Sequence, residues 1–195
     1  MVPSASVSPV REILENRLSK LLPDLESELD RFVSERCARA RRDVADELNQ
    51  AARRIEHAAD AAAIAATLVE AAAALSAGAA LLRVSDSALR GQQIRGVAEK
   101  CAETFRNLAI PLEVAPALAE AVRSRDPVTA MATAGEISGE LASLLGRAYQ
   151  ERIHVYPLTA AGGVRAVLCA WGDINGPAVE LLVQIAAARW QALPA

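Results

Sequence analysis

Apolar residues recur every eleven positions along the N-terminal part of the chain, in two rows: Leu22, Val33, Val44 and Ile55, and Leu18, Leu29, Ala40 and Ala51. This spacing corresponds to about 3.67 residues per turn, so both rows fall on one face of an α-helix. Paired helices with this repeat form a nearly straight or slightly right-handed coiled coil. The pattern predicts a long N-terminal helix that starts at Ser8-Pro9, after a disordered lead rich in serine and proline.

The predicted helix is interrupted by a proline, and its apolar face needs a partner to cover it. Pro23 predicts a kink, with residues 14–22 as a separate short helix. The flanking positions are charged, acidic from Asp24 to Asp30 and basic from Arg36 to Arg42. A long helix with one narrow apolar face needs a partner, either a second copy or the body of the same chain. We expect a homodimer; the charge pattern favours antiparallel pairing only weakly, since exposed ion pairs contribute ~0–1 kcal/mol.

The composition changes after Ile55 from charged to alanine-rich, which predicts domains at residues 1–55 and 56–195. The second domain begins with a buried helix that ends before Gly78. Further helices are predicted at residues 97–107, 115–124, 135–145 and 177–192. Strands are predicted at residues 79–84, 89–96, 110–112, 126–130, 152–158 and 164–171. This order is typical of an α+β fold, an antiparallel sheet with helices on both faces.

Five phrases within about residues 58–193 resemble a GAF domain when taken in order. They are Ile110-Pro111-Leu112 with the helix at 118–122, Asp126-Pro127-Val128, Val155-Tyr156-Pro157-Leu158, residues 163–168, and residues 180–186. The resemblance implies a GAF-like fold, a dimer interface formed by the first and last helices, and a small-molecule pocket. The cyclic-nucleotide and bilin motifs of better-known GAF domains are missing from the sequence, so no cofactor or ligand is named.

The final hairpin suggests where a ligand would bind. Ala166, Leu168 and Ala170 alternate with bulkier residues and suit a closely packed helix. If both apolar sets of the hairpin face the helices, five candidate ligand-binding residues share the opposite face: His154, Tyr156, Arg165, Cys169 and Trp171. Arg83 adds a positive charge that suits an anionic ligand. The alternative is that these are ordinary rim or sheet-end residues.

The sequence shows no assembled catalytic or metal site. Its two histidines have no acidic or thiol partner at motif spacing, so no catalytic triad is readable, and we predict that the chain is not an enzyme. One redox alternative remains, because some GAF-fold enzymes reduce free methionine sulfoxide through cysteines. That activity would require Cys101 and Cys169 to meet in space.

Charge and cysteine content indicate which classes of partner and which cellular compartment to expect. A net charge of -3 and a pI near 5.5 predict no general affinity for nucleic acid or anionic membranes. Asp60 and Glu70 interrupt the apolar segment at 58–82, so no membrane span is expected. Three cysteines without CxxC spacing and an N-terminus unlike a secretory signal predict the cytoplasm. The arginine and alanine bias is typical of a GC-rich bacterial genome.

Two functions follow from this pattern and the resemblance. The first is a non-catalytic regulatory module that senses a small molecule, or receives a signalling input, and passes the signal through its N-terminal helix. The second is a ligand-free scaffold or protein-interaction module. The sequence holds no recognisable output domain beside the GAF-like one, which is expected to stand alone.

Overall fold

A computed structural model of the chain describes residues 9–146, 151–160 and 162–193. The chain divides into two compact units, Met1–Glu47 and Leu48–Ala195. Helix α1, Pro9–Glu56, runs through this division, so its last turns belong to the second unit. The predicted domain boundary between residues 55 and 56 stays a prediction, and the predicted N-terminal lead at residues 3–8 lies outside the described residues.

Helix α1 has 48 residues and starts at Pro9, as expected. It continues through Pro23, so the prediction of a separate short helix at residues 14–22 is wrong. The fixed φ of proline is compatible with a helix, and its missing N–H removes one hydrogen bond from a ladder of many. Pro23 therefore weakens α1 locally and does not divide it.

The second unit alternates helices and strands in the predicted order. Its helices are α2 Ala61–Ala74, α3 Glu99–Arg106, α4 Pro116–Ser124, α5 Ala134–Ile137, α6 Gly139–Leu145 and α7 Gly176–Gln191. Its strands are β1 Gly78–Ser85, β2 Ala88–Arg95, β3 Ala109–Pro111, β4 Val128–Met131, β5 Arg152–Ala160 and β6 Gly163–Trp171. The strands form one antiparallel sheet in the order β3-β2-β1-β6-β5-β4. The α+β architecture is confirmed.

Local chemistry explains several element ends. Asp60 caps α2, because its Oδ1 accepts a hydrogen bond from the Ala63 N–H at 2.7 Å. Pro111 ends the edge strand β3, where a residue without a donor is tolerated. The single helix predicted at residues 135–145 is two helices, because Ser138 has φ 86° and its hydroxyl caps α6 through the Leu141 N–H.

The sheet carries a hydrophobic core on each face. One core lies between the sheet and α3–α6 and contains Phe105, Ile137 and Trp171. The other joins the sheet to α2, α7 and the last turns of α1. On that second face Ala166 and Ala170 are fully buried, so the predicted small-residue surface packs against helices as expected. Because both faces are covered, alternate residues of the central strands are apolar in both directions.

Candidate functional site

The pairing of β5 with β6 separates the predicted ligand residues. Val155 lies opposite Cys169, whereas Tyr156 lies opposite Leu168, and directly opposed residues point to the same side of a sheet. Tyr156 therefore joins the core beneath α2 and α7, while Cys169 and Trp171 join the core beneath α3–α6. The expectation of one shared face is wrong for the following five residues: His154, Tyr156, Arg165, Cys169 and Trp171. Because helices cover both faces of the sheet, apolar residues occur on both faces of β5 and β6. The apolar pattern therefore could not fix the register between these two strands.

Cys169 and Trp171 are core residues. Both side chains are fully buried, and burial raises the pKa of the Cys169 thiol to about 12. The Trp171 ring packs on the backbone of Gly78, where any Cβ would collide with it. The Trp171 indole N–H finds no acceptor among the described residues, so this ring contributes by packing. These two residues line the sheet from inside the α3–α6 core.

His154 and Tyr156 lie together on the other face of the sheet. Their rings stack with centroids 6.4 Å apart, and His154 Nδ1 lies 3.3 Å from the Thr129 hydroxyl. Burial and the charge of Arg152 lower the pKa of His154, while burial and Glu180 raise the pKa of Tyr156. Both shifts favour the neutral form of the side chain. Tyr156 opens onto a cleft of about 260 Å³ beside α7, too small for most drug-sized ligands.

Arg83 and Arg165 are the two predicted residues that share a cavity. Arg83 lies opposite Ala166 in the β1–β6 pair, on the α2 and α7 side. The β5–β6 pair contains a bulge: Leu158 lies opposite Ala166, but the next residue, Thr159, lies opposite Val164. Arg165 is therefore the extra, unpaired residue of β6, next to Ala166. Both arginines line one cavity of about 630 Å³, bounded by the α1–α2 turn and the end of α7.

The structure shows a second cleft that sequence reasoning missed. It lies between α3 and α6, has a volume of about 760 Å³, and includes Cys101, Thr104, Asn107, Glu140 and Ser143 in its lining. The three-residue spacing of Cys101 and Thr104 on α3 was a readable signal for one wall of the cleft. The other wall was missed, because one helix was predicted at residues 135–145 where the structure has α5 and α6. The lining mixes hydroxyl, amide, thiol and carboxylate groups without a neighbouring cation among the residues in that lining.

The thiols stand in three different surroundings. Cys37 is exposed, Cys101 is half-buried and Cys169 is buried, and all three are free. Cys101 lines the α3–α6 cleft, whereas Cys169 is enclosed in the core, so the structure forms no redox pair from them. Within residues 9–146, 151–160 and 162–193, no group of three or more His, Cys, Asp or Glu side chains is arranged to hold a metal ion.

Hydropathy adds one further finding. Among the helices that the structure describes, none combines the length and apolar character that crossing a bilayer requires. Asp60, which interrupts the apolar run in the sequence, is the N-cap of α2 and is exposed.

Known proteins match this chain through structure alone. No protein-family description and no curated protein sequence matches it. Solved structures do match, and several of them, each covering 71–76% of this chain, are GAF domains or contain one. The chain therefore has a GAF-like fold: an antiparallel six-stranded sheet with helices on both faces, preceded by a long N-terminal helix.

Three of these structures illustrate the likeness. A GAF domain/HD domain protein from Geobacter sulfurreducens is 14% identical, with a TM-score of 0.58 over 71% of this chain and 97% of that one. The GAF domain of a phosphoenolpyruvate-protein phosphotransferase from Coxiella burnetii is 12% identical, with a TM-score of 0.59 over 76% and 90%. A free methionine-R-sulfoxide reductase from Neisseria meningitidis is 15% identical, with a TM-score of 0.57 over 76% and 89%. GAF domains of different proteins and an enzyme thus share this fold.

Proposed function

We propose that this chain is a GAF-type regulatory module that works as a homodimer, joined by the N-terminal part of α1. The observation that carries the proposal is a set of large apolar side chains on α1, each about half exposed. We call this set the exposed stripe: Leu14, Leu18, Leu21, Leu22, Leu25, Leu29, Phe32 and Val33. Fully burying one such side chain contributes roughly 1.5–3 kcal/mol, so leaving eight of them in water is costly.

The spacing of the exposed stripe suits a second helix. Leu18, Leu22, Leu25, Leu29 and Phe32 follow one another at intervals of four, three, four and three residues. Alternating intervals of four and three keep these side chains on one helix face, where a partner helix covers them by knobs-into-holes packing. A second copy of the chain supplies an identical stripe, and two-fold pairing covers both stripes at once.

Two observations favour regulation over catalysis. Cys169, one of the two thiols that a reductase mechanism would use, has a pKa of about 12 inside the core and is almost entirely protonated at neutral pH. Structural neighbours include GAF domains from an HD-domain protein and a phosphotransferase, and part of a methyl-accepting chemotaxis protein. We infer that a dimer of this chain transmits a conformational change through its paired α1 helices, as a regulatory module would. In the alternative, a ligand-free scaffold, the same dimer forms but transmits no conformational change.

The proposal is tested by the mass of the full chain in solution. Size-exclusion chromatography with light scattering is expected to give twice the chain mass of 20.6 kDa. A double substitution in the exposed stripe, Leu25→Asp with Leu29→Asp, is expected to produce a monomer. Two charges introduced at a buried apolar seam cannot be solvated while the helices remain paired.

The matched control places the same charges on the opposite face of the same helix. Ser27 and Ser34 are exposed and lie about 160 to 180° around α1 from the stripe, at about 100° per residue. Ser27→Asp with Ser34→Asp is expected to leave the dimer intact. A monomeric wild-type chain would refute the proposal, as would a stable dimer of the stripe variant. Circular dichroism verifies that both variants keep their helices.

A further inference from the structure

The cavity that contains Arg83 and Arg165 has the composition of an anion site. Its volume of about 630 Å³ lies within the range of roughly 300–1,000 Å³ that small-molecule pockets occupy. Besides the two arginines, Asp60, Trp190 and Gln191 line it. All of these residues belong to the second unit, on the sheet face opposite the α3–α6 core.

The β-bulge places the side chains of Arg83 and Arg165 at the same cavity. In a regular strand pair Arg165 would point to the side opposite its neighbour Ala166. The bulge instead leaves Arg165 unpaired beside Ala166, which lies directly across from Arg83. Bulges of this kind often redirect a side chain next to a functional site. Two cations from neighbouring strands therefore share one cavity.

The positive charge in this cavity is only partly neutralised from within, because two guanidinium groups face one carboxylate, that of Asp60. Arg165 uses its Nε to donate to the Ala160 carbonyl at 3.3 Å, which holds the stem and leaves the terminal amino groups of the guanidinium available. The Arg83 side chain makes no hydrogen bond or ion pair with any described residue. Asp60 is the only carboxylate in the lining, and its Oδ1 is already bonded to the Ala63 N–H.

Helix ends at the cavity contribute partial charges of opposite sign, and a hydrogen-bonded contact between the surrounding elements holds the cavity in shape. The C-terminal end of α7, at Trp190 and Gln191, carries a partial negative charge. The N-terminus of α2 opens at Ala61 in the cavity lining, and a helix N-terminus carries a partial positive charge. Arg189 of α7 donates from Nε and a terminal nitrogen to the Ala58 carbonyl at 3.1 and 2.8 Å. This contact ties the α1–α2 turn to α7, so the two sides of the cavity are joined before any ligand arrives.

We propose that this cavity binds a small organic anion through a carboxylate or phosphate group. Two guanidinium groups recognise either oxyanion by charge-assisted, bidentate hydrogen bonds. Trp190 offers an apolar surface, and the Gln191 amide a neutral donor, for the rest of the molecule. Such a ligand would join β1, β6, α2 and α7, the elements that meet the last turns of α1 in the same core.

Isothermal titration calorimetry of the full chain tests the proposal with two probes, citrate for the carboxylate class and inorganic phosphate for the phosphate class. Saturable binding of at least one probe is expected, and which of them binds more tightly identifies the class. Arg83→Gln and Arg165→Gln are each expected to weaken binding at least about tenfold, the scale of one lost charged hydrogen bond. Arg165→Lys keeps the charge but loses the planar fork, so an intermediate affinity is expected.

Arg152→Gln is the matched control, because Arg152 is also an exposed arginine of the sheet but lies at the end of β5 opposite to Ala160, which lines the cavity. Its affinity for the probe is expected to equal that of the wild type. Three results would overturn the proposal: no saturable binding of either probe in the millimolar range, unchanged affinity in Arg83→Gln, or equal loss in Arg152→Gln. Thermal melting of each variant, compared with the wild type, separates loss of a contact from loss of the fold.

Discussion

The two ends of α1 continue the same apolar repeat but place it in opposite environments. Leu22 and Val33 are 52% and 49% exposed. Ile55, thirty-three residues beyond Leu22 and twenty-two beyond Val33 in the same row, is fully buried in the core beneath α2 and α7, and Ala51 is 8% exposed. The apolar repeat therefore predicts a helix with one face that requires burial. Whether residues of the same chain bury that face depends on what surrounds each turn of the helix.

The difference also assigns separate tasks to the two ends. The buried end anchors α1 in the second unit, where Ile55 packs among helices and sheet. The exposed end has an apolar face for which the described residues provide no cover. Substitutions at the buried end should therefore change the stability of the second unit, and those at the exposed end should change association. The predictions that follow separate these effects.

Thiol reactivity gives the largest expected contrast between α1 and the core. Cys37 of α1 is exposed, whereas Cys169 is buried with a pKa of about 12. Because the thiolate is the reactive form and reagents cannot enter the core, a maleimide should label Cys37 at least roughly 1,000-fold faster than Cys169. Mass spectrometry of time-quenched digests measures both rates, and denaturant should remove the difference. Equal rates in the folded chain would contradict the buried position of Cys169.

Substitution of the repeat itself gives the next largest effect. Ile55→Ala should destabilise the second unit by about 2–5 kcal/mol, because it opens a cavity in a filled core. Leu22→Ala should change that stability by less than about 0.5 kcal/mol. Urea denaturation followed by tryptophan fluorescence measures this directly, since Trp171 and Trp190 both lie in the second unit.

Dimerisation would add to the apparent unfolding free energy of the second unit, so it must be prevented in this measurement. Both substitutions are therefore made in the Leu25→Asp, Leu29→Asp background, in which we expect a monomer. Similar losses of stability for Ile55→Ala and Leu22→Ala would contradict the claim that Ile55 is buried in the core and Leu22 is not.

The ion pair at the buried end should have the smallest effect. Arg54 donates two hydrogen bonds to Glu70 of α2 at 3.0 and 3.2 Å, but both side chains are about half exposed. The bond from Arg54 lowers the pKa of Glu70 below its ordinary value of 4.5. Solvent screening limits the contribution of such a pair, so Glu70→Gln should cost no more than ~1 kcal/mol at neutral pH.

The pH dependence of this pair has a definite sign. A carboxyl with a lowered folded-state pKa stabilises the fold above its ordinary pKa, and loses that contribution as the pH falls through the lowered value. The difference in unfolding free energy between wild type and Glu70→Gln should therefore vanish in acid. Urea titrations at about pH 7 and about pH 3 test this. A difference that grows in acid would reverse the assigned role of Arg54.

Most of the fold was predictable from local pattern. Period-two alternation, proline at an edge strand and the glycine-bounded hairpin located the strands, and the order of elements was sufficient for the GAF-like architecture. Errors arose where a local signal was weaker than its surroundings. Pro23 did not end α1, and Ser138 divided a predicted helix through a positive φ that no propensity rule assigns to serine.

The candidate site was less predictable, because it depends on register. Pairing Arg83 with Arg165 required a bulge, and separating Tyr156 from Cys169 required the strand alignment. A shift of one residue exchanges the two faces of a strand, and in a sheet covered on both sides the hydrophobic pattern is similar in either alignment. Sequence reasoning thus named both arginines as candidate ligand residues, which stays a prediction, but grouped them with Cys169 and Trp171, which lie in the core on the other face of the sheet.

By itself, the sequence determined that α1 is a long helix with one apolar face, and that an α+β body with a GAF-like order of elements follows it. These properties depend on residue spacing, which is a local quantity. Only the tertiary structure decided that Ile55 is buried while Leu22 is exposed, and that Arg83 and Arg165 share a cavity. Burial and proximity depend on residues that are distant along the chain, so no local pattern contains them.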